Sequence, residues 1–254
     1  VARIIARALA PRPGTDGQGV PLIAETGGQN AMIVDSSALP EQVVRDVLAS
    51  SFQSAGQRCS ALRVLYLQED IADGVLEMIR GGFAALTVGD PADLATDVGP
   101  VIDAEAQALL ESHIADCAAK GLPVERLPGT PTTGHFVAPT IIELPDIAEL
   151  QREVFGPVLS VYPYRDLTEA ITHIAANPHP LTMYWCGDQN ERFQKLADNT
   201  RSGSINGNDF AAHMFGADLP FGGVGRSGMG GYHGKTGFET FSHARAIAFS
   251  TLPV

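Results

Sequence analysis

Cysteine is scarce in this 254-residue sequence. Cys59, Cys117 and Cys186 are too few, too far apart and odd in number for a disulfide framework, and no C-x-x-C pair points to zinc. Basic residues are also short: 17 Lys and Arg against 29 Asp and Glu leave a formal charge of −12. Such a surface repels phosphate backbones and anionic lipid, which argues against nucleic-acid and membrane-surface partners. No apolar run approaches about 18 residues, so no membrane span is expected. The seven histidines are scattered without ligand spacing, and no metal site is expected. Unpaired thiols fit a reducing compartment, so the expectation is a cytoplasmic protein. A charged-then-apolar leader is missing at the start, and so is a methionine. Val1 to Leu9 reads as a helix already under way, with no capping residue before it, which implies a piece of a longer chain.

What is present alternates between strand and helix. Pro11 to Gly19 is a loop by composition, and the apolar step Pro21-Leu22-Ile23-Ala24 then runs to Glu25. Thr26-Gly27-Gly28 breaks the segment, and Ala31 to Val34 reads as a short buried strand. The spacing of Val43, Val44, Val47, Leu48 and Phe52 predicts an amphipathic helix over 40–54, with Pro40 in its first turn. Further strands are predicted at 62–67, 137–143, 158–164, 181–186 and 204–206. Helices are predicted near 70–85, 103–119, 167–176 and 190–199. This alternation is that of crossover units and implies an α/β fold with a mostly parallel sheet.

Three places could carry chemistry. Cys59 follows a helix and a glycine in the polar loop Gly56-Gln57-Arg58-Cys59-Ser60. A neighbouring cation such as Arg58 can lower a thiol pKa enough to supply thiolate, although a free cysteine is as readily a small buried hydrophobe. Glu25 lies between an apolar step and a double glycine; partial burial there would raise its pKa towards that of a general base, although it reads as readily as a charged residue ending a strand. In Glu153-Val154-Phe155-Gly156-Pro157 the carboxylate and the ring fall on one side of an extended segment, suited to a ribose and a flat ring. Cys117 and Cys186 read as packing residues. Gly223-Val224-Gly225-Arg226-Ser227-Gly228 matches G-x-G-x-x-G but lacks a leading strand, and reads as a turn. Gly234-Lys235-Thr236 resembles the end of a phosphate loop, but Met229 stands where the first glycine is required.

Taken together the motifs resemble the aldehyde dehydrogenase superfamily. Glu25-Thr26-Gly27-Gly28 is similar to its E-L-G-G signature, and Gly56-Gln57-Arg58-Cys59 to its G-Q-x-C. Gly89-Asp90-Pro91, Pro139-Thr140, Glu153 to Pro157, Asn206 and Pro220-Phe221-Gly222-Gly223 follow in the family's order. The resemblance covers essentially the whole chain and corresponds to the C-terminal half of a family member.

The resemblance implies a three-layer αβα catalytic domain over 26–226. Residues 1–25 would be the tail of a Rossmann-like cofactor domain, and 227–254 would return to the domain or oligomer interface. It implies oxidation of an aldehyde by NAD, with NADP possible, in a dimer or tetramer. Cys59 would be the nucleophile and Glu25 the base for thioester hydrolysis. Glu153 and Phe155 would contact the nicotinamide ribose and ring, and Gly27 would allow close approach to the cofactor. Ser60 and Phe221 would contact substrate.

From Pro21 to about Tyr164 the chain resembles glutamate γ-semialdehyde (1-pyrroline-5-carboxylate) dehydrogenase of the proline-utilisation type. From about Leu167 onward it resembles coniferyl and fatty aldehyde dehydrogenases, with Asp209 to Phe215 replacing the expected glycine-rich carboxylate anchor. Because the resemblance places further cofactor and oxyanion groups upstream of Val1, the chain by itself is expected to be inactive. The alternative of another class is a binding or assembly module that keeps the fold without catalysis.

Overall fold

Long apolar stretches rich in β-branched and aromatic residues build the centre of the computed structural model. It describes residues 1–14, 17, 19–150, 152–176 and 181–250. Thr15, Asp16 and Gln18 of the expected N-terminal loop lie outside these residues, as do the last four positions of the C-terminal segment. The strands are β1 (Ala24–Glu25), β2 (Asn30–Val34), β3 (Leu62–Gln68), β4 (Val124–Arg126), β5 (Thr140–Glu143), β6 (Val158–Tyr164), β7 (Thr182–Cys186), β8 (Ser204–Gly207) and β9 (Gly228–Met229). The helices are α1 (Ala2–Leu9), α2 (Pro40–Phe52), α3 (Glu69–Ala84), α4 (Ala104–Ala119), α5 (Leu167–Ala176), α6 (Glu191–Asn199), α7 (Ala212–Phe215) and α8 (Gly234–Thr240).

Seven strands form one sheet in the order β4-β5-β6-β3-β2-β7-β8. Every neighbouring pair is parallel except β4–β5 at the edge. All residues of β2 and β7 are buried, as a parallel sheet covered on both faces requires. Alternate side chains of β7 show the two coverings. Tyr184 points to the side of Ser50 on α2, whereas the Trp185 ring lies 6.1 Å from Phe193 of α6. Helices α2 and α3 pack together through Phe52 and Phe83, whose rings are 5.4 Å apart. Tyr162 of β6 meets His173 of α5 on the opposite face. The expected three-layer α/β architecture is therefore present, and Cys117 and Cys186 are both buried in it. Among the described residues no helix is long and apolar enough to cross a membrane.

Two expectations change. The strand predicted from Val137 begins only at Thr140, because Pro139 has no N–H to donate and pairing starts after it. Edge strand β4 and the short ribbon β1–β9 were not anticipated, since two or three residues are too few to display a period. The Gly223–Gly228 segment does turn, through Ser227 N–H to the Val224 carbonyl at 3.1 Å.

Candidate functional site

The chain elements that carry the candidate residues converge at the amino ends of the central strands. Asn30 opens β2, Cys59 lies three residues before β3, Gly156 and Pro157 precede β6, and Thr182 opens β7. Parallel pairing puts these starts side by side.

The Cys59 loop is held from below by buried polar side chains. Asn30 is fully buried and donates through Nδ2 to the carbonyls of Cys59 (2.7 Å) and Ala61 (2.8 Å). Its Oδ1 accepts the Thr182 N–H at 3.0 Å, which uses both ends of the amide. The buried Arg63 guanidinium donates to the carbonyls of Arg58 (3.1 Å) and Gly156 (3.0 Å). Burial lowers its pKa to about 10 even though the Glu153 carboxylate acts the other way. The Tyr184 hydroxyl donates to the Ser60 carbonyl at 2.5 Å. Buried Ser60 in turn directs its hydroxyl towards Met214 Sδ at 3.9 Å.

Cys59 itself is half-buried, and its thiol is not activated at rest. Burial pushes its pKa up, the Glu25 carboxylate adds to this, and the N–H groups of Ser60 and Cys59 oppose it. The expectation that Arg58 would lower it fails for a geometric reason. The guanidinium turns back to the last turn of α2, donating to the Ala49 carbonyl at 2.9 Å, and rests over the Phe210 ring.

Glu25 lies on β1 and is exposed, not partly buried. Strand β1 pairs only with β9, outside the seven-stranded sheet, so the core does not cover it. Its Oε1 accepts a hydrogen bond from the Tyr232 hydroxyl at 2.6 Å. The next residue, Thr26, donates its N–H to the Ser227 carbonyl at 3.0 Å.

The double glycine joins the Glu25 segment, the Cys59 loop and Glu153. At Gly28 a Cβ would lie 2.4 Å from the Cys59 carbonyl oxygen, and at Gly27, with φ +126°, it would lie 2.2 Å from Glu153 Oε2. Neither position has room for a side chain. The Gly28 N–H donates to Glu153 Oε1 at 3.1 Å, and Arg63 approaches the same oxygen at 4.0 Å. Burial nevertheless raises the Glu153 carboxyl pKa. The Arg63 guanidinium also sits 5.2 Å from the centre of the Phe155 ring, which stays 46% exposed. Beside that ring is an apolar cavity of about 200 Å³, lined by Leu109, Leu110, His113 and Val154 among others. Glu153 and Phe155 thus present a carboxylate acceptor and an accessible flat ring, which fit the hydroxyls of a ribose and the face of a nicotinamide.

Phe221 is buried in a stack, 5.8 Å from His213 and 5.6 Å from His233. Cys59, Ser60, Glu25, Gly27, Glu153 and Phe155 are linked by direct contacts or by charge, and Phe221 joins them through Tyr232. Asn30, Arg63, Tyr184 and Tyr232 were not anticipated. A signal existed for two: Asn30 and Arg63 are polar residues at the start of otherwise apolar strands.

A model of the aldehyde dehydrogenase family matches residues 1–247. The bifunctional protein PutA of Escherichia coli (strain K12) is 50% identical over 242 residues, covering 91% of this chain and 18% of that protein. A crystal structure of bifunctional proline utilization A (PutA) protein superposes with a TM-score of 0.81 at 45% identity, covering 93% of this chain and 24% of that one. Coniferyl aldehyde dehydrogenase of Pseudomonas sp. (strain HR199 / DSM 7063) is 35% identical over 238 residues, covering 90% of this chain and 48% of that protein. The chain therefore spans less than a fifth of the first relative and about half of the last.

Proposed function

The chain belongs to the aldehyde dehydrogenase family, and from that premise we propose that it carries the nucleophile and base of an enzyme oxidising an aldehyde to a carboxylic acid. The observation that supports this most is the packing of Gly28 on the Cys59 carbonyl, which brings the Glu25 segment onto the nucleophile loop. In this reading Cys59 Sγ attacks the carbonyl carbon and forms a C–S bond, while the Cys59 N–H donates to the developing oxyanion. NAD, or alternatively NADP, supplies the hydride acceptor when bound, and Glu153 and Phe155 are the residues of this chain that hold it. The acyl group then rests on sulfur as a thioester. Glu25 takes a proton from water, the water oxygen bonds to the acyl carbon, the C–S bond breaks, and the acid leaves. The thiol is neutral at rest, so its proton must leave as the C–S bond forms; Glu25, an exposed carboxylate whose charge reaches the sulfur, takes it and passes it to solvent before the hydrolytic step.

Glutamate γ-semialdehyde is the proposed substrate, in proline catabolism, supported by the 50% identity to PutA. A second reading, an aromatic or long-chain aldehyde, is favoured by the segment beside Ser60. There Asp209 accepts the N–H groups of Ala211 and Ala212, and Met214 reaches Ser60, so apolar atoms stand next to the nucleophile. Residues 1–25 are proposed as the end of the cofactor domain, 26–226 as the catalytic domain, and 227–254 as a segment returning to an oligomer interface. Phe221 and Ser60 are proposed as substrate neighbours, in a cytoplasmic homo-oligomer.

The test is aldehyde-dependent NADH formation by the full-length protein that carries this chain, compared with its Cys59→Ala variant. The expected result is loss of turnover in the variant, with the semialdehyde turned over at a higher kcat/KM than coniferyl aldehyde. Turnover that persists in Cys59→Ala overturns the reading, and a reversed preference replaces the first substrate class with the second.

A further inference from the structure

We propose that Tyr232 is the positioning residue of the base: its phenol holds Glu25 Oε1, leaving Oε2 to take the proton of the water that hydrolyses the acyl-Cys59 thioester. This rests on the Cys59–Glu25 reading above and adds a group contributed by the C-terminal segment. The observation that carries it is the 2.6 Å hydrogen bond from the Tyr232 hydroxyl to Glu25 Oε1, across 207 positions of sequence.

Both partners are fixed at the backbone, but only Tyr232 is also fixed at its side chain. Glu25 is fixed at its backbone by pairing with Gly228, but its side chain is exposed. A glutamate free to turn loses much of the orientation that general-base catalysis needs. Tyr232 is held on both sides. Its N–H and carbonyl form a two-way bridge to Phe221 at 2.9 and 2.8 Å. Its ring meets Phe221 edge-on at 5.5 Å and His233 at 4.9 Å. Helix α8 ties the segment down through the Thr240 hydroxyl to the Gly231 carbonyl at 3.2 Å. The contact with Glu25 pushes the phenol pKa up to about 12, so it stays protonated and remains a donor across the working pH range.

The hydrolytic step balances without any further reagent. A water O–H bond breaks and its proton goes to Oε2. The hydroxide oxygen bonds to the acyl carbon, and sulfur departs with the electron pair of the C–S bond. Tyr232 gives up no proton and acts only through Glu25.

The experiment isolates this step from hydride transfer. Cys59 of the full-length protein that carries this chain is acetylated with p-nitrophenyl acetate. The nitrophenolate burst reports acylation, and intact mass spectrometry reports loss of the acetyl group. In Tyr232→Phe we expect acylation within about twofold of the parent protein and deacylation slowed about tenfold, against about 100-fold or more in Glu25→Gln. If Tyr232→Phe deacylates like the parent while Glu25→Gln is slow, the tyrosine is idle and the base reading stands. Equal slowing of both steps in Tyr232→Phe shows a merely structural role and overturns the proposal. Parental deacylation in Glu25→Gln overturns the base reading and the proposal with it, and failure to acylate Cys59 in the parent protein does the same for the nucleophile. A second measurement is independent of how Tyr232→Phe folds: in Glu25→Gln the Tyr232 phenol should titrate back towards the ordinary value of about 10. An unchanged titration removes the contact on which the inference stands.

Discussion

Cys59 stands at the rim of the core, on a loop tied down by Asn30, Arg63 and Tyr184, none of them more than 3% exposed. Glu25 stands on a two-residue strand outside the main sheet, exposed, and paired with a segment more than 200 positions later. The Cys59 loop is thus held by buried side chains at the starts of the central strands, so its geometry is tied to the packing of the core. Glu25 is held by a local ribbon and one phenol, so its geometry can change at little cost to the core.

Asn30→Ala should break the comparison most severely. It removes three hydrogen bonds and leaves the Cys59 and Ala61 carbonyls and the Thr182 N–H buried without partners. Each orphaned group costs about 1–3 kcal/mol, so an expected loss of at least about 3 kcal/mol follows in denaturant unfolding. A loss under about 1 kcal/mol would mean that the loop is held in another way. Next in size is Gly28→Ala, whose Cβ meets backbone 2.4 Å away and must displace either Cys59 or the Glu25 segment. It should cost about 1–3 kcal/mol and also lower the alkylation rate of Cys59, since overpacking moves whatever it strikes. By contrast, Glu25→Gln should change stability by no more than about 0.5 kcal/mol, as surface substitutions do. A cost from Glu25→Gln as large as that of Asn30→Ala would erase the distinction between the two regions.

Much of this architecture was legible in the residues. Helix α5 and strand β6 lie where their periodicity places them, and β2, β3 and α2–α4 differ by one or two positions at their ends. Cys59, Glu25 and Glu153 were legible because their chemistry is out of place in the surrounding sequence. Asn30, Arg63 and Tyr232 were not, for a different reason. Their roles exist only once the starts of β2, β3, β6 and β7 are adjacent, or once residue 232 returns to residue 25. A polar residue at the start of an apolar strand marks Asn30 and Arg63 as unusual, but local patterning does not say what they will hold. In open α/β sheets ligands usually bind beyond the carboxyl ends of the strands, a rule that points to the wrong end of this sheet. Likewise the exposure of Glu25 follows from β1 pairing outside the main sheet, which two residues of sequence cannot show.

The central claim is that thiol and carboxylate share one site, and the pH dependence of Cys59 alkylation tests it most directly. Cys117 and Cys186 stay out of the way, since burial pushes both thiols up, that of Cys186 to about 12. Burial and the Glu25 charge both disfavour the Cys59 thiolate, so iodoacetamide labelling of Cys59, read by peptide mass, should rise only above the ordinary thiol value of about 8.5. Removing that charge in Glu25→Gln should move the rise to lower pH and speed labelling at pH 8. Identical profiles in the two proteins would show that the carboxylate does not act on the sulfur, and would contradict the account.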